Sequence, residues 1–121
     1  MRQIDKEELR TRIEKNLQRL KEPYYQIGEV FADASYDWPG DKEGRALLAL
    51  ACHYRMHGEK IPCMDEMIEQ VPQRTNDDFY FGEINTEIID EQQLSGHNWY
   101  LRGLPAYYNQ FGDEQALMCV W

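Results

Sequence analysis

The chain has 121 residues, room for one domain around a single core. Its 13 lysines and arginines stand against 22 aspartates and glutamates, a formal charge of -9 that argues against a nucleic-acid or anionic-membrane surface. A 42% hydrophobic share with 12% aromatics is too rich for a disordered acidic tail, and no run reaches the ~20 apolar residues of a membrane span.

Leu9, Ile13, Leu17 and Leu20 fall on one stripe of a first amphipathic helix, with Asp5 as its N-cap, Glu8 and Arg12 paired on the polar side, and Pro23 as its end. Tyr24 to Gly40 reads as a connector with a short helical turn around Ile27 to Phe31, closing on the turn Asp37-Trp38-Pro39-Gly40. A second helix, capped by Asp41, runs to His57 and stops at Gly58. Its Ala46–Cys52 stretch is small or apolar throughout, which predicts burial nearly all round. Ile61, Met64, Ile68 and Val71 form the stripe of a third helix, with Pro62 in its first turn and Pro72 as its stop. Gln73 to Ile89 is a longer connector without a predicted sheet. A fourth helix, capped by Asp90 with Gln93 or by Ser95, carries Leu94, Leu101, Leu104, Tyr108 and Phe111 on one face. Gly103 and Pro105 predict a kink or a break in it. Gly112 ends this helix, and Asp113 opens a fifth that carries Leu117, Val120 and Trp121.

The second and fourth helices align at an offset of about 54 residues, pairing Leu47 with Leu101, Leu50 with Leu104, Tyr54 with Tyr108 and Gly58 with Gly112. Stacked helical hairpins produce such a register. They need about three units to bury a continuous core. The expectation is therefore an all-α chain of stacked α/α hairpins. It forms a partial (α/α)6 toroid of about five helices, in which residues 1–121 are a single unit and the first portion of a larger barrel.

Met1 to Leu9 is charged, so no signal peptide is expected, and Cys52, Cys63 and Cys119 define no disulfide framework. The compartment stays open between the cytoplasm and a trimmed secreted protein. His53 and His57 share a helix face at metal-like spacing but lack the zincin glutamate and a third ligand. Helix-end histidines satisfy the same pattern, and no metal site is expected. His97 lies on the stripe with Leu94, Leu101 and Leu104. It is either a core histidine bonded to a backbone carbonyl or an imidazole that bonds a sugar hydroxyl in a central cavity. Glu83, Glu87, Asp90 and Glu91 cluster in the aromatic connector, as glycosidase carboxylates or as a solvated loop. Asp41 and Arg45 pair at a helix start.

Two segments resemble a known family. Asp37-Trp38-Pro39-Gly40-Asp41-Lys42-Glu43-Gly44-Arg45 with the following leucines is one. The other is Phe79-Tyr80-Phe81-Gly82 with Asp90-Glu91-Gln92-Gln93-Leu94-Ser95-Gly96-His97 and Leu101-Arg102-Gly103-Leu104. In tandem they are similar to glycoside hydrolases typified by β-L-arabinofuranosidase, over roughly two thirds of the chain. The resemblance implies an (α/α)6 barrel that binds a sugar at its centre, with substrate contacts at His97, Asp41, Arg45, Glu91 and Gln92. It implies carbohydrate as the ligand and no catalytic residue in this chain. Zinc belongs to the full-length family, on cysteine and glutamate ligands downstream of the matched region. Pro105 and the ending Met118 to Trp121 depart from the family pattern. The function expected is that of an N-terminal glycoside hydrolase portion without the catalytic pair, inactive alone. The alternative is a non-catalytic helical interaction module that self-associates through an exposed apolar helix face. A lyase or unsaturated-uronyl hydrolase on the same toroid is the third. Neither a nucleic-acid partner nor a membrane partner is expected.

Overall fold

The computed structural model describes residues 5–26, 28, 40–81 and 86–118. Among these the chain is all helical, with no strand. Its α-helices are α1 (Lys6–Leu20), α2 (Asp41–His57), α3 (Cys63–Arg74) and α4 (Glu91–Phe111), and 3-10 turns occupy Pro23–Tyr25 and Glu114–Leu117.

α1 begins as its sequence predicts: the Asp5 carboxylate accepts the Glu7 amide at 3.0 Å. Its apolar stripe is only half used. Leu17 and Leu20 are buried, whereas Leu9 is 45% exposed, so the first turns run past the core. At α2 the expected cap is displaced by one residue. Gly40, at φ 90°, takes the N-cap position, and the Glu43 carboxylate reaches back to accept its amide at 3.0 Å. Asp41 is the first helical residue and is committed to Arg45 instead. Gly58 and Gly112 end α2 and α4 in left-handed conformations, as the sequence predicts.

The α3 stripe is buried as expected, and Cys63 and Met67 join it. Pro72 does not stop the helix. It lies in the last turn, and the Thr75 amide and hydroxyl close on the Val71 carbonyl, both at 3.2 Å. Nor does Pro105 break α4, which is assigned as one helix of 21 residues. Tyr100 and Leu104 before the proline and Tyr107 after it are all buried, so core packing carries the helix through the missing hydrogen bond. The expected fifth helix is a 3-10 turn at Glu114–Leu117 capped by Asp113; Cys119, Val120 and Trp121 lie outside the described residues. So do the turn expected around Ile27 to Phe31 apart from Gly28, the Asp37-Trp38-Pro39 segment, and Gly82 and Glu83.

The predicted face of α4 is rotated. Leu94 and Leu101 are 64% and 43% exposed, and the buried line is Gln93, Gly96, Tyr100, Gly103, Leu104 and Tyr107. Glycines set this rotation by letting α2 and α4 touch backbone to backbone. A Cβ on Gly44 would lie 2.2–2.3 Å from the Trp99 carbonyl and the Tyr100 nitrogen, and one on Gly103 would lie 2.7 Å from the Gly44 carbonyl oxygen. The contacts between Gly40 and Gly96, Gly44 and Gly103, and Tyr54 and Phe111 advance together, so α2 and α4 run parallel. Asp65 meets Tyr107 and Lys60 meets Phe111, so α3 runs the opposite way. The parallel pair α2 and α4 and the antiparallel α3 give the chain its helical-hairpin character. The core gathers between α2, α3 and α4, with Leu17 and Leu20 of α1 and Ala116 closing its ends.

Candidate functional site

α1 leans on the second half of α2, where Asn16 Nδ2 meets His53 Nε2 at 2.9 Å and Lys21 pairs with Glu59 at 2.6 Å. The chain turns back at Pro23, so that Tyr24 and Tyr25 stand opposite the first turns of α2. A cleft of about 610 Å³ opens between them. Asn16, Arg19, the two tyrosines, Asp41 and Arg45 give it its polar and aromatic walls. Asp41 and Arg45 form a two-pronged ion pair, with Nε to Oδ2 and a terminal nitrogen to Oδ1 both at 2.9 Å. This geometry fixes both side chains more firmly than a single bond would. The Arg45 guanidinium also lies 4.1 Å from the Trp99 ring centre. Lys42 sits 4.4 Å over Tyr24, and Arg19 is 5.8 Å from the Tyr25 ring centre.

The substrate-binding residues expected from the sequence all lie near one end of the parallel pair α2 and α4, but on different sides of it. At 100° per residue, Gln92 and Trp99 project on the flank of α4 that faces Arg45, and His97 projects on the other. Glu91 and Gln92 are exposed in the first turn of α4, where Asp90 accepts the Gln92 and Gln93 amides at 3.0 Å each.

His97 is held on both sides by the protein. Nδ1 lies 2.8 Å from the Gln93 carbonyl and Nε2 accepts the Phe81 amide at 2.9 Å. Nδ1 therefore carries the hydrogen of a neutral ring. The ring stacks on Tyr80 at 3.9 Å between centres. Gln93, one turn earlier, donates to the Phe81 carbonyl at 3.2 Å, so two side chains of α4 grip both backbone groups of Phe81 as a neighbouring strand would. This is the core-histidine alternative, with the connector held in place of a ligand. Neither ring nitrogen is left for a hydroxyl in this arrangement.

Two buried polar groups escaped the sequence reading. Burial raises the Glu43 carboxyl above the ordinary range, against hydrogen bonds from its own amide and that of Gly40. A raised carboxyl is what a general acid needs, but Glu43 is only 6% exposed at the α2–α4 contact and is spent on the Gly40 amide, so its role is structural. The Glu43 spacing from Gly40 is half of a capping box, the signal that could have found it. At the other end of the bundle Tyr107 donates to Asp65, which Lys60 pairs with at 2.5 Å. Burial pushes the Asp65 carboxyl up, but the Lys60 and Tyr107 hydrogen bonds and the Lys60 charge outweigh it and leave it below the usual range. Burial, then the bond to Asp65, drives the Tyr107 hydroxyl well above its ordinary value.

His53 and His57 stack at 5.6 Å, and among the described residues no three His, Cys, Asp or Glu side chains converge as metal ligands. Cys52 is exposed on the outside of α2, while Cys63 is buried in the core, where burial raises its thiol. Neither suits the cysteine and glutamate ligand set that the family resemblance implies for zinc. Glu87, Asp90 and Glu91 are exposed, as a solvated loop would be. No helix among the described residues is long and apolar enough to cross a membrane. In comparison with known proteins, no family model matches the chain, and no curated protein or solved structure matches it.

Proposed function

We propose that the chain is a carbohydrate-binding helical unit, the N-terminal portion of a glycoside hydrolase of the β-L-arabinofuranosidase kind, and that the cleft between α1 and α2 is one wall of its sugar site. The observation that carries this reading is the locked Asp41–Arg45 pair beside Tyr24 and Tyr25. A fixed carboxylate–guanidinium pair offers an acceptor and donors to adjacent ring hydroxyls, and a tyrosine face covers the apolar side of a sugar ring. The parallel placement of α2 and α4 supports a stack of hairpins that continues toward an (α/α)6 barrel. His97 and Gln93 serve the site indirectly, by holding the Tyr80-Phe81 connector against α4.

The chain by itself binds sugar weakly and turns none over. Titration with a β-L-arabinofuranosyl disaccharide, followed by nuclear magnetic resonance, moves the Arg45 side-chain and Tyr24 ring signals. Asp41→Asn and Tyr24→Ala abolish the shifts. Absence of any shift, or hydrolysis of an aryl glycoside by this chain, refutes the reading.

A second reading, a helical module that self-associates, is favoured by one observation: Ile88, Ile89, Leu94 and Leu101 are exposed apolar residues at and along the back of α4. Light scattering across a concentration series tests it, with dimers expected in the native chain and monomers in Leu94→Lys/Leu101→Lys.

A further inference from the structure

The outer flank of the α2–α4 pair carries a shallow groove of about 230 Å³, separate from the sugar cleft. Leu48, Ala51, Cys52 and Ala106 line its middle, and Arg55, Asn109 and Gln110 line one end. One turn beyond the other end, Arg45 and Arg102 lie 4.1 and 4.7 Å from the same Trp99 ring centre. The chain's formal charge is -9, yet among the described residues no carboxylate lines this groove. Arg55 and Arg102 have no ion pair among the described residues, whereas Arg45 is neutralised by Asp41.

We propose that this flank docks an acidic peptide segment of a partner protein. Arg102 shares the Trp99 ring with Arg45, and ten residues of helix separate Arg45 from Arg55, so the two free cations stand on the order of 15 Å apart, with small and apolar side chains between them. Arg102 is prearranged on the indole to receive a carboxylate, since the ring holds it without neutralising it. Charge complementarity selects the occupant. A phosphate backbone is repelled by the surrounding negative protein, and the same flank of a second copy would set arginine against arginine. The segment that fits carries carboxylates at both ends of a short apolar stretch.

The test uses the full chain and a short fluorescent peptide with glutamates flanking a leucine-alanine centre, alongside a copy with glutamine at every glutamate. Anisotropy rises with the glutamate peptide and not with its copy, and the binding weakens with added salt. Arg55→Glu/Arg102→Glu loses binding at least about tenfold; both side chains are exposed, and Arg55→Gln/Arg102→Gln serves if the charge reversal unfolds the chain. Arg45 and Asp41 stay untouched in these variants, so their sequence keeps the sugar cleft's ion pair. Equal binding of the two peptides, no binding of either, or undiminished binding by the variants overturns the proposal. Light scattering supplies one more arm: a native dimer that Arg102→Glu dissociates assigns the groove to a second copy, and this also overturns it.

Discussion

Gly44→Ala tests the packing that the rest of the molecule depends on. The added Cβ would stand 2.3 Å from the Trp99 carbonyl oxygen and the Tyr100 nitrogen, whereas ordinary contact begins at 3.4 Å. The obstacle is backbone, so no rotamer change relieves it and α2 must move about 1.1 Å from α4 over this stretch. Leu47, Leu50, Ala51, Tyr100 and Leu104 are buried in the same layer, and separation of that order forfeits much of their dispersion contact. Overpacking costs about 1–3 kcal/mol, and a backbone obstacle places this site at about 3. Alanine returns about 1 kcal/mol through its helix propensity. The expected net loss is about 2 kcal/mol, or a fall in Tm of about 8 °C for a domain of this size. Urea and thermal melts followed by circular dichroism measure it. Gly112→Ala is the control: its Cβ meets nothing within 4 Å, and the left-handed φ of 68° is its one penalty, about 1 kcal/mol. If Gly44→Ala melts at or above the native temperature, the helices do not approach as described and the argument from glycine fails.

His97→Leu leaves the Phe81 amide without its acceptor, for a loss of about 1–3 kcal/mol, and hydrogen exchange at Phe81 accelerates. If that exchange rate is unchanged, the histidine clamp is not what holds the connector. His53 behaves differently with pH. Burial first, then the neighbouring His57, lowers its pKa below the ordinary 6.5. The unfolded chain therefore takes up a proton there before the folded one does, so the His53 contribution is complete above about pH 6.5 and is lost as pH falls below it. Urea midpoints measured at about pH 7.5 and 5.5 should drop in the native chain and drop less in His53→Gln. Tyr107→Phe removes a donor from Asp65 and raises that carboxyl's pKa, which carbon-detected NMR titration reads directly; an unmoved Asp65 contradicts the assigned bond.

Helix positions were legible because local signals suffice for them. Asp5, Gly58, Asp90 and Gly112 mark ends through their own backbone chemistry, and the α3 stripe needs one face only. The face of α4 was not legible from hydrophobic spacing. Leu94 and Leu101 outweigh Gly96 and Gly103 on any hydropathy count, yet the glycines decide the rotation, because backbone contact with α2 requires the absence of a Cβ. Pro72 does not stop α3, and the break allowed at Pro105 does not occur, for a related reason. Whether a helix breaks at an interior proline depends on packing, and Tyr100, Leu104 and Tyr107 bracket Pro105 from the core. Of the five candidate contact residues, the i,i+4 pair Asp41 and Arg45 follows from local spacing. The bond partners of His97 do not, because Phe81 is 16 residues away.

The glycines also explain where the candidate surfaces lie. Bringing α2 and α4 into backbone contact removes room for large side chains along the shared line, so the aromatic and cationic residues project on its flanks. Arg45 stands at the boundary: it faces the α1 cleft with Asp41 on one side and reaches Trp99 on the other. A shift of α2 relative to α4 would alter both places at once. The sugar cleft would feel it through the Asp41–Arg45 pair and the outer groove through the shared indole. Gly103→Ala is therefore expected to weaken acidic-peptide binding as well as stability, since its Cβ would meet the Gly44 carbonyl at 2.7 Å. Binding that survives in a Gly103→Ala chain still folded at low temperature would mean that the two flanks are organised independently of the helix contact.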